Sequence, residues 1–151
     1  MTTAKLLGLT LLGSASLIAT AASAEHVTSG GTVLTATLTG AAERPGPGDP
    51  DGSGSITLTV NPGQKRICYE LTVAGIETPT AAHIHIAPVT DPGPVVIPFP
   101  APPLGDSSGC IDVTSEQAAK LIAKPSAYYF NVHNAAFGPG AIRGQLAKAA
   151  H

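Results

Sequence analysis

Apolar and polar residues alternate with a period of two along most of the chain. Thr32 to Thr39 reads T-V-L-T-A-T-L-T, with Leu34, Ala36 and Leu38 on one parity and threonine on the other. That is the signature of a strand with one buried face. Ser55 to Val60 and Arg66 to Val73 follow the same rule and are joined by Asn61-Pro62-Gly63-Gln64, residues that favour a hairpin turn. In the second strand Ile67, Tyr69, Leu71 and Val73 share a face, so Cys68 points the other way. Ala81 to Ile86 is strand-like, and Val95-Val96-Ile97, a short apolar run between prolines, suits an edge strand. Gly109 to Val113 is a further short strand. Thr114 followed three residues later by Gln117 predicts a capping box opening one helix, Ser115 to Ala123, which Pro125 ends. The last strands are Ala127 to His133 and Ala141 to Ala147, with the Gly- and Pro-bearing loop Asn134 to Gly140 between them. Seven or eight short strands and one short helix predict an all-β domain, an antiparallel Greek-key sandwich or barrel.

Composition narrows the class. The 151 residues include 17 Gly, 14 Pro and no Trp, which leaves little room for long helices. A formal charge of −2 and the absence of any Lys/Arg run exclude the basic field that holds nucleic acid. Residues 1–24 carry Lys5, then an uncharged Leu/Ala-rich stretch closing on Ala22-Ser23-Ala24, the pattern of a cleaved secretory signal peptide. The expectation is therefore one domain, residues 25–151, secreted or periplasmic, with no membrane span after cleavage. Pro-flanked edges argue against strand-to-strand association and for a monomer.

In an oxidising compartment the two cysteines, Cys68 and Cys110, are expected to form one disulfide, since they lack the close spacing of a metal-binding pair. His26 and His151 sit at the ends of the mature chain and carry no argument. His83 and His85 lie two apart, so both imidazoles project from one face of their strand, while Ile84 and Ile86 take the other. His133 ends a strand in which Tyr129 and Asn131 share its parity and Tyr128, Phe130 and Val132 take the opposite, core one. All three histidines are thus expected on outer faces. If their strands are neighbours, three imidazoles converge, a donor set suited to copper or zinc. The alternative is that they hydrogen-bond nearby loops and hold the long Pro-rich connection in place. As ligands, each would donate its other ring nitrogen to an acceptor such as Asn131 or a loop carbonyl. Arg143, a charge inside an apolar run, is expected to form a structural ion pair with Glu43. Hydrolase, P-loop and dinucleotide motifs are missing, and no catalytic residue is assigned.

Four blocks resemble the CHRD domain, the module named after chordin: Leu38-Thr39-Gly40-Ala41-Ala42-Glu43-Arg44-Pro45, Ala81-Ala82-His83-Ile84-His85, Tyr128-Tyr129-Phe130-Asn131-Val132-His133 and Gly140-Ala141-Ile142-Arg143-Gly144-Gln145-Leu146. They occur in the family's order, with departures at Ile86, Asn134 and Ala141. The resemblance implies an exported β domain acting as a non-enzymatic binding module for an extracytoplasmic protein or ligand. A weaker likeness, to the copper side of copper/zinc superoxide dismutase, makes His83, His85 and His133 copper ligands. The dismutase's bridging and zinc histidines have no counterpart here, because no histidine lies between His85 and His133. The alternative function is therefore a copper-binding protein with a three-His site and dismutase-like redox chemistry.

Overall fold

In the computed structural model, which describes residues 30–150, nine strands form one antiparallel sheet curled into a nearly closed barrel. They are β1 (Thr32–Thr39), β2 (Ser53–Asn61), β3 (Arg66–Ala74), β4 (Pro79–Ile86), β5 (Val95–Phe99), β6 (Gly105–Asp112), β7 (Tyr128–Asn134), β8 (Ile142–Gln145) and β9 (Ala147–Lys148). Their order is β5-β4-β7-β8-β1-β2-β3-β6, with β9 also pairing β1. The signal-peptide reading, His26 and His151 lie outside the described residues. Within them no helix is long and apolar enough to cross a membrane.

Strand parity sets the core. Leu34 and Leu38 of β1, Ile56 and Leu58 of β2, Ile67 and Val73 of β3, Ile84 of β4, Phe130 of β7 and Ile142 of β8 all point inward and are buried. Burying a side chain of this size contributes about 1.5–3 kcal/mol, so this interior is the main favourable term of the fold. Phe99 of β5 meets Tyr69 of β3 at 5.3 Å and Phe130 at 5.2 Å between ring centroids, both edge to face. These contacts join the edge strand β5 to the opposite side of the barrel.

The helix α1 (Ser115–Ala123) has the expected capping box: Gln117 N–H donates to Thr114 Oγ1 and Thr114 N–H to Gln117 Oε1. It buries Ala118 and Leu121. Ser115 Oγ donates to Pro62 O at the β2–β3 turn, and Gln117 Nε2 to Val96 O in β5, so α1 bridges the β2–β3 hairpin and the edge strand β5.

Several boundaries differ from expectation, three of them with a clear cause. Ala141 to Ala147 is two strands, because Leu146 turns its N–H away from the β1 ladder to Tyr128 O. β6 begins at Gly105, since pairing with β3 over its full length carries Ser- and Gly-rich residues of poor intrinsic strand propensity. β2 begins at Ser53 for the same reason, through its continuous ladders with β1 and β3. Cys68 and Cys110 sit directly opposite each other in the β3–β6 register, 3.9 Å apart at Cα, and form the expected disulfide on the outer face. Closing a loop of that length stabilises by about 4 kcal/mol in the chain-entropy model and ties the edge strand β6 to β3.

Candidate metal centre

His83 and His85 lie on β4, and β4 pairs antiparallel with β7, which ends in His133. The register sets Ala81 opposite His133 and His83 opposite Asn131, so the three histidines share one outer patch. One ring nitrogen from each lies within 4.8 Å of those of the other two. Copper or zinc bonds to imidazole nitrogen at about 2 Å, which sets ligand nitrogens about 3.3–3.5 Å apart. His83 Nδ1 and His133 Nε2 lie 3.1 Å apart as a hydrogen-bonded pair, so a metal taking both nitrogens requires the His83 proton to move to its Nε2.

Loop carbonyls fix the tautomers. His85 Nδ1 donates to Gly93 O at 2.8 Å, and His133 Nδ1 donates to Gly138 O at 2.8 Å. When these rings are neutral their Nε2 atoms are bare lone pairs. His85 Nε2 is buried with no hydrogen-bond partner at all. His133 Nε2 receives the proton of His83 Nδ1 and faces Asn131 Oδ1 at 3.1 Å. Several electron-rich atoms thus converge on one point. Burial, then the neighbouring imidazoles, hold the His83 pKa below its ordinary value. Burial does the same to His85, against the opposing pull of the Gly93 carbonyl. At neutral pH both rings are free of the proton that would compete with a metal.

The outer face of β4, β7 and β8 is not a solvent face. Tyr129 and His85 stack with centroids 4.7 Å apart and planes 8° from parallel. The Arg143 guanidinium carbon lies 3.5 Å from the centroid of the same Tyr129 ring. The loop 87–94 folds over this face: Arg143 donates to Asp91 O and Pro88 O, Gln145 to Ala87 O, and Gly93 N–H to Tyr129 Oη. A side chain at Gly93 would collide with the Ile86 carbonyl, so that close approach requires glycine. His85 therefore does hold the Pro-rich connection, and its other nitrogen remains free.

The expected Glu43–Arg143 ion pair is not formed. Both are buried, at 3% and 1% exposure, but the guanidinium is taken up by the loop carbonyls and the Tyr129 face, which satisfy it without a carboxylate. Among the described residues the ion pairs are Arg66–Asp112 and Lys120–Glu116, both on the surface. Glu43 Oε1 has no hydrogen-bond partner. Burial raises the Glu43 pKa to about 7 despite the nearby positive charge of Arg143 and the Asn131 side chain, both of which favour the ionised form. The packing of Tyr129 on His85 and the carbonyls of Gly93 and Gly138 were not expected individually. Tyr129 shares the parity of Asn131 and His133, which is the one sequence signal for it.

No curated protein and no solved structure matches the chain. The family model of the CHRD domain matches residues 34–146, from the first core leucine of β1 to the leucine that closes the sheet. That span takes in all four sequence blocks, the three histidines, Glu43 and Arg143, and it covers well over half of the chain. The protein belongs to the CHRD domain family.

Proposed function

We propose that this CHRD domain is an exported binding module whose ligand is a copper ion held by His83, His85 and His133. The observation that carries the reading is the buried, unpartnered Nε2 of His85, aimed into a patch where two further imidazoles bring nitrogens within 4.8 Å. A buried polar atom without a partner is costly, and a metal ion is the partner that suits a bare imidazole nitrogen. The hydrogen bonds from the remote nitrogens of His85 and His133 to backbone carbonyls supply the outer support that metal-bound histidines use. The family membership and the disulfide fit an extracytoplasmic setting.

Copper titration of the oxidised protein by calorimetry tests it, beside a variant with His83, His85 and His133 all changed to Ala. One-to-one binding, lost in the variant, is the expected result. Equal binding by both proteins would return the histidines to a scaffolding role. A second reading, recognition of a partner protein, is favoured by Ile86, Val89 and Val95, which stay exposed on and beside the pinned loop. Under it, Val89→Asp abolishes retention on the envelope fraction of the source cells without touching copper binding; unchanged retention would discard it.

A further inference from the structure

Glu43 is a carboxylate that the barrel has no structural use for. It follows the 3-10 turn Gly40–Ala42, lies 3% exposed, makes no ion pair and leaves Oε1 without a partner. Its place is nonetheless specific. The carboxyl packs directly on Gly140, where any side chain would overlap it. Asn131, 1% exposed, stands between Glu43 and the imidazoles. Its side chain lies beside the Glu43 carboxyl, where it favours the ionised form, and presents Oδ1 to His133 Nε2 at 3.1 Å. In the sheet, Asn131 is the middle of a three-strand rung, opposite His83 on β4 and Arg143 on β8.

The charges in this layer are unbalanced in one direction. The groups facing Glu43 are Arg143 from β8, Arg44 beside it in the chain and the neutral Asn131 from β7, with the imidazoles beyond. A dication bound to three neutral ligands adds two positive charges, and Glu43 is the one buried acid among the described residues. Coulomb energy scales with the charge of the ion, so a fixed carboxylate favours a dication over a monocation twofold in the logarithm of affinity.

Resting on the copper reading above, we propose that Glu43 is a positioning and charge-balancing residue that acts through Asn131 and biases the site toward Cu(II) over Cu(I). Its charge offsets the dication, and the bridging amide keeps the lone pair of Asn131 turned toward the imidazoles. The high pKa of the metal-free protein, about 7, fits a carboxylate whose stabilising cation is still to come.

Cu(II) and Cu(I) affinities, each measured against competing chelators at pH 8, test this in the wild type, Glu43→Gln and Glu43→Asp. Supporting partners of metal ligands typically matter 10- to 100-fold, so Glu43→Gln is expected to weaken Cu(II) by about 100-fold and Cu(I) by about tenfold. Glu43→Asp, which keeps the charge, should hold the Cu(II)/Cu(I) ratio within about threefold of wild type. Equal losses for both ions, or no loss in Glu43→Gln, overturn the role of Glu43 while leaving the copper site standing. Failure of the wild type to bind either ion overturns the copper reading, and this inference with it. A second measurement needs no variant: with ¹³C-labelled glutamate at pH 6, Zn(II) should convert the Glu43 carboxyl from protonated to ionised in the infrared spectrum. An unchanged band on Zn(II) binding contradicts the proposal.

Discussion

The two outer faces of the barrel obey the same alternation and end in opposite states. On β1, β2 and β3 the outward residues include Thr35 opposite Thr57, Thr37 opposite Ser55, and Ser55 opposite Thr72, all open or half-open to water. On β4, β7 and β8 the outward residues are His83, His85, Tyr129, Asn131, His133 and Arg143, and most are buried. The difference does not come from the strands. The β2–β3 connection is a tight turn that covers nothing, whereas loop 87–94 and the Asn134–Gly140 loop fold over the second face and donate carbonyls to it. Alternation thus says which side chains leave the core, and the loops decide whether those side chains meet water or one another.

This contrast can be broken from either side. The threonine face depends on its covalent tie: Cys68→Ala with Cys110→Ala should lower stability by about 4 kcal/mol, read from chemical denaturation, and should fray β6 first in hydrogen exchange. The polar face depends on Arg143, whose removal leaves loop carbonyls without donors. Arg143→Met is expected to destabilise by about 3 kcal/mol and to speed exchange in residues 87–94. An unchanged melting curve would mean that the loop holds itself.

Glu43 gives a pH signature. A carboxyl raised from 4.5 to about 7 carries no burial penalty below pH 4.5, and carries it in full above pH 7. Glu43→Gln should therefore leave stability unchanged at pH 4 and raise that of the metal-free protein at pH 8 by up to about 3 kcal/mol. His83 and His85 act in the opposite sense: their depressed pKa values give a contribution complete above pH 6.5 and lost as the pH falls below it. Wild type alone should show these trends partly cancelling, and the variant should expose the histidine limb. At the small end, Thr57→Ala on the open face should shift stability by less than about 0.5 kcal/mol.

Much of the fold was legible because its signals are local. The parity of Leu34, Ala36 and Leu38, the Asn61–Gln64 turn and the Thr114–Gln117 box each specify their own element, and each element formed as read. The convergence of His83, His85 and His133 was legible only as a condition on strand neighbours, which β4–β7 pairing meets. The partner of Arg143 was not legible. Backbone carbonyls have no sequence signature, so a search for opposite charge pointed to Glu43, when the acceptors were Pro88 and Asp91 backbone oxygens on a loop more than fifty residues away. The burial of the histidine face was hidden for the same reason, because period-2 patterning carries no information about what a loop will cover.

The most direct test of the central claim is electron paramagnetic resonance of the protein loaded with one equivalent of Cu(II), recorded beside His85→Ala alone. His85 offers the buried free nitrogen and its partner atoms lie on the pinned loop. The account predicts a single Cu(II) species with hyperfine coupling to several imidazole nitrogens in the wild type, and loss of one of those couplings with about 100-fold weaker binding in the variant. Identical spectra and affinities for the two proteins would contradict it.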